Sequence, residues 1–367
     1  MNQIKIKQKD LILPTFFPDA TRGVIRALDS EDLQSVGVEG LIINTYHLMS
    51  KPGATVIKEI GGVKKFMNWP GWIISDSGGF QLLSMIYQDP TFGKINRDGV
   101  IFYKDSKGGK EKYNFTPEKA IQTQFALNSD IMICLDDCPA VNATPEQEEE
   151  SVARTIEWAK RCKQEFETQC KNKKLTDETR PWLFGVIQGG NNKDLRKKCA
   201  DALKQIGFDG YGFGGWPLND DNTYNHEILE FTANQMEDGK PKYGLGIGNP
   251  RAVVECFKMG YNIFDCVLPT RDARHGRIYI LNEQAVKDAK SNPEVTEEIY
   301  SFIHIKQEKY TRDEAKLDEQ CDCHVCQNYT RAYLKHLFDI EDISAARLAT
   351  IHNLRTYTRL MEILRLS

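Results

Sequence analysis

The stretch GWIISDSGG (71–79) shows the pattern on which the predicted fold depends. A short apolar run ends there in an aspartate and two glycines, and a helical pattern follows. Strands that are buried on both faces are continuous apolar runs, and their alternation with helices implies parallel pairing. Seven further segments of the same form bring the total to eight: 10–20, 41–48, 130–138, 182–190, 209–216, 242–248 and 262–271.

Eight strand–helix units predict an α/β fold, a (β/α)8 barrel. An open, doubly wound sheet is the alternative, since it also places polar residues at the C-terminal ends of its strands. Residues 88–116 are rich in Gly, Lys and Asp and interrupt the repeat, so we interpret them as an inserted hairpin. Amphipathic segments between the strands predict helices at 30–36, 117–127, 146–166, 193–206, 223–236 and 250–259.

The composition is that of an ordinary globular protein, with 40% hydrophobic and 27% charged residues in a chain of 367. Residues 1–10 lack the apolar core of a signal peptide, and no run reaches the roughly eighteen apolar residues of a membrane span. Ten cysteines, most of them isolated, indicate reduced thiols and a cytoplasmic location. A net charge of -4 gives no overall attraction to nucleic acid, so such binding would need a local basic patch.

Polar residues stand where the predicted strands end, which is where the working residues of such a barrel lie. Four of them are carboxylates, contributed by three strands. Paired acids suit glycosyl chemistry, in which one attacks or stabilises an oxocarbenium-like carbon and another handles protons. For any single aspartate the alternative is a helix cap or a pair with arginine. The residues at the predicted strand ends are Asn44, Asp76, Asp136, Asp137, Gln188, Gly214, Gly215, Gly246 and Asp265.

Glycine pairs follow two of the strands, in SDSGGFQ (75–81) and GYGFGGWP (210–217). Glycines there let a flat ligand or a backbone amide approach closely, although a tight turn without a ligand would use them too. Neither stretch is a P-loop. The segment PTRDARHGR (269–277) places three arginines and a histidine on a predicted loop. It is the best local candidate for phosphate contact, and a solvated surface loop is the alternative.

The segment CDCHVC (321–326) contains three cysteines within six positions. A redox pair, a disulfide or three metal ligands could explain them, but the spacing is too tight for mutual disulfides in a cytosolic protein. Zinc takes four soft or borderline ligands in a tetrahedron, and such closed sites are structural. The fourth ligand could be His324, His336 or His352, and we favour His352 because its helical pattern could fold back on the cysteine turn. The predicted division is a barrel over 1–300 and a zinc-binding helical subdomain over 301–367, packed on the barrel.

Several longer motifs occur together in one order: NTYHL (44–48), SDSGGFQ, LDDCPA, GVIQGG, GLGIG, FDCVLPTRDARHG, CDCHVCQNYTRAYLKHL and TIHNLRTYTRLM. From about residue 10 to residue 365, the chain resembles the bacterial tRNA-guanine transglycosylases, or queuine tRNA-ribosyltransferases. That family is a (β/α)8 barrel with a C-terminal zinc subdomain, which agrees with the prediction above. Its reaction belongs to queuosine biosynthesis. It exchanges guanine at the wobble position of tRNAs with GUN anticodons (those for Asp, Asn, His and Tyr) for a 7-deazaguanine base.

The resemblance implies that Asp265 is the nucleophile, which attacks C1′ of the ribose and leaves a covalent RNA–enzyme ester. Asp76 would be the proton acceptor that activates the incoming base, in a retaining double displacement. Asp136 would read the amino-pyrimidine edge of the base, and Gln188 with the Gly215 amide would read its carbonyl side. The implied substrate-binding residues, in which Phe80 and Leu245 cover the two faces of the base, are Ser77, Gly78, Gly79, Phe80, Asp136, Gln188, Gly215 and Leu245.

The same resemblance implies RNA contacts, metal ligands and an assembly. One structural zinc ion per subunit would bind Cys321, Cys323, Cys326 and His352. Bacterial members form homodimers through the subdomain, so that one subunit catalyses while the other helps to hold the tRNA; Tyr333 and His336 fall where that interface is expected. The implied RNA contacts are Gly246, Ile247, Gly248, Asn249, Pro250, Arg251, Ala252, Thr270, Arg271, Asp272, Ala273 and Arg274.

Two departures from the family pattern concern the incoming base. The segment Trp216–Asp220 stands where bacterial members usually have Leu-Ala-Val-Gly-Glu, and Leu245 replaces the usual methionine. Cys138 is retained, as in members that take preQ1, and the bulk of Trp216 and Leu218 argues against whole queuine. We therefore expect preQ1, with preQ0, queuine or a DNA substrate as alternatives.

Two further interpretations compete with a tRNA transglycosylase. A non-catalytic partner subunit of the same fold is disfavoured by the intact Asp76 and Asp265. A sugar hydrolase stabilised by zinc belongs to a different class of enzyme. The TRDAR segment and the zinc subdomain favour tRNA over DNA.

Overall fold

The structure is a computed structural model that describes residues 2–106, 109–219, 221–292 and 297–366. Its centre is a sheet of eight parallel strands: β1 Thr15–Pro18, β2 Gly40–Asn44, β3 Trp72–Asp76, β4 Ile131–Ile133, β5 Trp182–Ile187, β6 Gly210–Phe213, β7 Lys242–Gly244 and β8 Ile263–Cys266. Each strand pairs with the next one along the chain from β2 to β8, and β8 pairs with β1. A parallel bridge between Asp19 and Ile42 joins β1 to β2 and closes the ring.

This closed order confirms the predicted (β/α)8 barrel and excludes the doubly wound sheet, whose first strand would lie inside an open sheet. Each of the eight segments interpreted as strands overlaps one barrel strand; the strand predicted within 41–48 begins one residue earlier, at Gly40. Their C-terminal ends therefore point to one mouth.

The other end of the barrel is closed by an N-terminal hairpin, Gln3–Ile6 paired with Lys9–Ile12. Its Ile4, Ile6 and Leu11 belong to the same buried cluster as the apolar side chains that fill the barrel interior. Ligands therefore have access only from the C-terminal ends of the strands. The interior residues are Phe17, Ile42, Ile74, Ile131, Ile133, Phe184, Val186, Tyr243 and Ile263.

Helices surround the barrel, and the longest, Pro145–Asn172, begins at a capping box in which Thr144 and Gln147 each accept a hydrogen bond from the other's backbone N–H. None of the helices in the described ranges combines the length and hydropathy needed to cross a bilayer. Besides Pro145–Asn172, the helices are Ser30–Ser35, Thr45–Ser50, Ala54–Ile60, Val63–Met67, Gly79–Gln88, Pro117–Leu127, Lys193–Ile206, His226–Gln235, Pro250–Lys258, Leu268–Arg274, Glu283–Ser291, His324–Asn328, Arg331–Asp339, Ile343–Arg365 and the 3₁₀ turn Glu308–Tyr310.

The insertion predicted at 88–116 is present, and it has one strand more than a hairpin. Strands Gly93–Asn96, Gly99–Ser106 and Gly109–Phe115 form a three-stranded antiparallel sheet. Phe102 is buried and meets the ring of Tyr46 edge to face, with ring centroids 5.5 Å apart. The insertion therefore packs beside the helix that follows β2.

The C-terminal helix Ile343–Arg365 packs back on the barrel. Tyr357 lies against Phe16 of β1, with ring centroids 4.6 Å apart, and Arg347 pairs with the buried Asp32. The Asn353 side chain receives the Tyr279 N–H and donates to the Pro269 carbonyl. The helix thus makes extensive contacts across residue 300, where we predict the boundary between barrel and subdomain.

The arginine-rich segment 269–277 is not the loop predicted from its sequence. Residues Leu268–Arg274 form a helix, and a strand, Arg277–Leu281, starts directly after it and pairs with Tyr300–His304. Pro269 lies in the first turn, where its missing N–H costs nothing, and the buried Ala273 packs inward. The polar residues of this segment suggested a loop, whereas its packing against the rest of the protein favours a short helix.

Candidate active site and metal centre

A cavity of about 460 Å³ opens at the C-terminal end of the barrel. Each strand end contributes to its lining, as expected for this architecture. The lining residue that follows or ends each strand, from β1 to β8, is Asp19, Asn44, Asp76, Asp136, Gln188, Gly215, Leu245 and Asp265.

Asp265 is held at the end of β8 by two donors. The Tyr243 hydroxyl donates to its Oδ1 at 2.7 Å, and the Gly246 N–H donates to the same oxygen at 2.9 Å. Burial raises the pKa of Asp265 to about 7, although these two hydrogen bonds work in the opposite direction. The carboxyl group is thus oriented through one oxygen and poised to ionise near neutral pH.

Asp76 ends β3 and receives the Asn44 side-chain amide at 2.8 Å and the Gly78 N–H at 3.3 Å, both on Oδ2. Burial, followed by the negative charge of Asp136, raises the pKa of Asp76 to about 7. Two carboxyls whose pKa values lie near neutrality therefore face one cavity, as proton transfer requires.

Asp136 and Gln188 form a hydrogen-bonded pair on the wall of the cavity, with Gln188 Nε2 donating to Asp136 Oδ2 at 2.7 Å. Burial raises the pKa of Asp136 to about 6. Gln188 is fully buried, and its Oε1 has no hydrogen-bond partner among the described residues. An unpaired buried acceptor is costly, so this atom indicates a place where a ligand donor belongs.

The fourth carboxylate predicted for the mouth, Asp137, does not line the cavity. Its side chain pairs with Arg154 on the long helix at 2.6 Å, and its backbone N–H bonds to the Thr155 hydroxyl. Adjacent residues leaving a strand point to opposite sides, so only one of Asp136 and Asp137 can face inward. For Asp137 the structural alternative of pairing with arginine is the correct one.

The glycines after β6 fit tightly against Gln188. A Cβ on Gly214 would lie 2.6 Å from Gln188 Nε2, so a larger residue would displace that side chain. Gly215 has φ +95°, a conformation that favours glycine, and its backbone lines the cavity.

Arg196 is a residue that sequence reasoning missed. It is fully buried without a carboxylate partner among the described residues and donates to the carbonyls of Ile187, Gly190 and Gly214. Its guanidinium also lies 4.2 Å from the ring centroid of Phe213. Arg196 therefore ties together the chain segments that follow β5 and β6, and its helical sequence context gave no sign of that.

Of the four predicted substrate residues that directly follow Asp76 (77–80), only Phe80 lines the cavity. Ser77 is buried and accepts the Gly79 N–H at 3.2 Å. Gly78 has φ +84°, and a Cβ on Gly79 would lie 2.7 Å from Leu135. Ser77, Gly78 and Gly79 thus shape the turn that presents Asp76 and Phe80.

Aromatic side chains flank the mouth. Phe80 and Trp216 are 45% and 42% exposed, large fractions for such side chains, and their ring centroids are 5.5 Å apart in an edge-to-face arrangement. The Trp216 indole N–H donates to the Pro139 carbonyl at 3.2 Å. Leu245 also lines the cavity. Exposed rings at a pocket mouth are suited to stacking on a flat ligand.

The four residues predicted to hold a metal lie together and are all buried: Cys321, Cys323, Cys326 and His352. Their ligand atoms lie within 4.8 Å of one another. His352 Nδ1 is 3.2 Å from the sulfur of Cys326 and 3.8 Å from that of Cys323. A tetrahedral zinc site would separate sulfur and nitrogen ligands by about 3.5 Å.

The histidine tautomer also suits metal binding. His352 Nε2 lies 2.7 Å from the Tyr279 carbonyl oxygen, which can only accept, so Nε2 carries the proton. The lone pair of Nδ1 is then directed at the three thiols. The cluster could therefore hold a metal ion, with a carbonyl group fixing the histidine as is usual at such sites.

Known proteins resemble this chain over nearly its whole length. A family model described as queuine tRNA-ribosyltransferase matches residues 1–367. A queuine tRNA-ribosyltransferase of Caldanaerobacter subterraneus subsp. tengcongensis is 39% identical over 352 residues, 96% of this chain and 85% of the relative. The relatives of that name from Psychrobacter cryohalolentis and Staphylococcus epidermidis are 37% and 39% identical, over 99% and 96% of this chain and 88% and 84% of their own.

The chain belongs to the queuine tRNA-ribosyltransferase family. This confirms the predicted family and the predicted class of enzyme, a pentosyltransferase. Within this family the segment 216–220 is the departure noted above, and residue 220 lies outside the described residues. Leu218 forms a bridge with Tyr224, and the Asn219 N–H donates to the Thr223 carbonyl, so Leu218 and Asn219 pair with residues 223 and 224 beside the cavity.

The two segments predicted to contact RNA offer fewer side chains than their length suggests. In the first, Ile247, Gly248, Pro250 and Ala252 are buried, which leaves Gly246, Asn249 and Arg251 at the surface. In the second, Thr270, Asp272 and Ala273 are buried, and Arg271 and Arg274 retain exposed surface. Asp272 accepts from the Tyr279 hydroxyl at 2.7 Å.

Proposed function

We propose that this chain exchanges guanine at the wobble position of tRNAs with GUN anticodons for a 7-deazaguanine base, preQ1. The observation that carries the proposal is one cavity containing two oriented carboxyls, Asp265 and Asp76, opposite a wall of base-reading groups. An ionised Asp265 would attack C1′ of the ribose as the bond from C1′ to guanine N9 breaks, and the departing N9 would take the proton of a protonated Asp76. An ester between the aspartate and the ribose results.

The second half of the reaction reverses the first with a different base. Asp76 would take the N9 proton of the incoming 7-deazaguanine, whose nitrogen then attacks C1′ and releases Asp265. Two inversions at C1′ give overall retention, as in retaining glycosidases. Asn44 and the Gly78 N–H hold Asp76 in place without supplying a full positive charge, which keeps it basic enough for this task.

Base recognition would use the wall formed by β4, β5 and β6. Asp136 would accept from the amino-pyrimidine edge, and the Gly215 N–H would donate to the carbonyl. The unpaired Gln188 Oε1 supports a ligand that donates hydrogen bonds here. Phe80 and Leu245 would cover the two faces of the base.

The remaining assignments concern RNA, metal and assembly. We assign the surface residues Asn249, Arg251, Arg271 and Arg274 to the tRNA backbone, whose phosphates attract arginine. The Cys3His cluster would hold one structural zinc ion. Tyr333 is 44% exposed on helix Arg331–Asp339, a surface that suits the expected homodimer contact.

The experiment that tests the proposal is release of labelled guanine from a GUN-anticodon stem-loop, with preQ1, preQ0 and queuine offered separately. Release with preQ1 is the expected result. Release with only another base would keep Asp265 and Asp76 in their roles and change the substrate assignment. No release with any base would overturn the proposed function.

The rate of exchange should depend steeply on pH. Since burial raises the pKa of Asp265 and of Asp76 to about 7, both are largely protonated below that pH in the free enzyme. The first half needs Asp265 ionised and Asp76 protonated, so kcat/KM for the tRNA should pass through a maximum near pH 7 and fall on both sides. A profile of guanine exchange against pH measures it. A flat profile between about pH 6 and about pH 8 would show that neither group titrates there.

Trp216 should limit the size of the base. The 7-position of a 7-deazaguanine lies next to its carbonyl, so with that carbonyl at Gly215 we place the substituent beside Trp216, which also lines the cavity. Trp216→Ala should raise kcat/KM for queuine by about tenfold or more, since it removes a large side chain that is held in place by its hydrogen bond to the Pro139 carbonyl. Trp216→Phe, which keeps an aromatic wall, is the matched control. An unchanged ratio of queuine to preQ1 in the alanine variant would remove Trp216 from specificity.

A further inference from the structure

Asp19 is a carboxylate of the cavity that the proposed reaction leaves without a role. It follows β1 and lines the same cavity as Asp265 and Asp76. The Thr21 N–H and the Thr21 hydroxyl both donate to its Oδ1, at 2.7 and 2.5 Å. Its other oxygen, Oδ2, has no hydrogen-bond or ion-pair partner within the described parts of the chain, so Thr21 orients a carboxylate that keeps one acceptor free.

The circular order of the strands places this acceptor on the sugar side of the cavity. The base-reading groups follow β4, β5 and β6, whereas β1 lies between β2 and β8 on the opposite arc. Asp265 at the end of β8 must reach C1′, so the ribose lies near β8, whose neighbours are β7, with the base-covering Leu245, and β1. The hydroxyl on the adjacent carbon, the 2′-hydroxyl, is then the nearest donor of the substrate.

Other polar groups on that arc are already engaged. The Asn44 side-chain nitrogen donates to Asp76, and Asp76 itself is needed for proton transfer. Ile42 on β2 and Val267 after β8 also line the cavity on this arc, and both are apolar. No lysine or arginine lines the cavity in the described residues, although Arg274 is near enough to interact with the charge of Asp19. A neutral hydroxyl is the ligand group that suits this position.

We infer that Asp19 accepts a hydrogen bond from the 2′-hydroxyl of the nucleotide whose base is exchanged, and thereby makes the enzyme select RNA over DNA at that nucleotide. The inference rests on the proposed function. A protein distinguishes RNA from DNA at a given nucleotide through contacts to this hydroxyl. A hydrogen bond to a charged acceptor discriminates by about ten- to a hundredfold.

The test compares stem-loops that carry either ribose or 2′-deoxyribose at the target guanosine. Asp19→Asn is the sharpest variant: the two Thr21 donors require an oxygen on their side, so the amide nitrogen replaces the free acceptor. The wild-type chain should prefer the ribose substrate in kcat/KM by about tenfold or more, and Asp19→Asn should bring this ratio close to one by slowing the ribose substrate alone. Asp10→Asn, the same change in an exposed residue at the closed end of the barrel, should leave the ratio unchanged.

Each outcome separates the inference from the proposed function. An unchanged ratio in Asp19→Asn, or an equal loss with both substrates, would mean a structural or purely electrostatic role and overturn the inference. If turnover by the variant is too slow, competition binding of the two stem-loops gives the same ratio. No guanine release by the wild-type chain from the ribose substrate would overturn the proposed function itself.

Discussion

Asp265→Asn is expected to abolish guanine exchange, with a loss in kcat of at least about 10³-fold. The amide keeps the size of the side chain and can still accept from Tyr243 and the Gly246 N–H through one oxygen. It cannot form the ester with C1′, because a neutral amide is a poor nucleophile. Exchange of labelled guanine measures the loss, and a denaturing gel of enzyme with stem-loop shows the missing covalent adduct.

The control for this variant is its stability. A carboxyl whose pKa is raised in the folded state keeps its proton at pH values at which the unfolded chain has already lost it. The free energy of unfolding that this carboxyl contributes is therefore lost as the pH rises from about 4 to about 7. Asp265→Asn removes the cost of burying an ionised carboxylate. This variant should therefore melt at the same or a higher temperature than wild type at pH about 8. A lower melting temperature would make misfolding the cause of inactivity, and an adduct formed by the folded variant would remove Asp265 from its role.

Asp76→Asn should separate the two halves of the reaction. It leaves the nucleophile intact, so guanine should still be released once per active site, more slowly without a proton from Asp76, while transfer to a new base stops. Accumulated adduct in Asp76→Asn and none in Asp265→Asn is the pattern expected for a nucleophile and a proton acceptor. The reverse pattern would exchange their roles.

The barrel was predictable because its signals are local and repeated. Each strand is an apolar run with a polar end, and closure brings those ends to one mouth without any further information. The N-terminal hairpin and the third strand of the insertion were not predicted. Their short, alternating segments carry little signal, and their positions are decided by packing on the barrel.

Most residues of the site could be predicted from the sequence, but the directions in which their side chains point could not. The strand pattern found the acids at the strand ends, but only the family resemblance singled out Asp136, because which of Asp136 and Asp137 faces inward depends on the twist of the chain after β4. Asp19 was missed since its strand ends in FFPDA, where proline and a lone aspartate indicate a turn. Arg196 was missed because a buried arginine that binds only carbonyls looks like any other basic residue of an amphipathic helix.

The metal cluster should be structural, and Cys323→Ser should cost bound metal and fold together. Its four ligands come from three segments: the turn at 321–323, helix His324–Asn328 and helix Ile343–Arg365. A metal ion cross-links these segments, and structural zinc sites contribute apparent free energies of about 10 kcal/mol. We expect wild type to hold one zinc ion per chain, and Cys323→Ser to hold far less and to melt at a much lower temperature.

A matched control separates loss of metal from loss of a buried thiol. Cys170→Ser makes the same atomic change on helix Pro145–Asn172, at a cysteine outside the cluster, and should keep its metal and most of its stability. Because the helix that carries His352 also packs on β1 beside the cavity, removing the metal should weaken the active site as well as the cluster. Metal content and thermal melting of wild type, Cys323→Ser and Cys170→Ser distinguish loss of the metal from loss of a buried thiol. A Cys323→Ser protein that lacks zinc and melts like wild type would show that the ion does not hold this part of the fold.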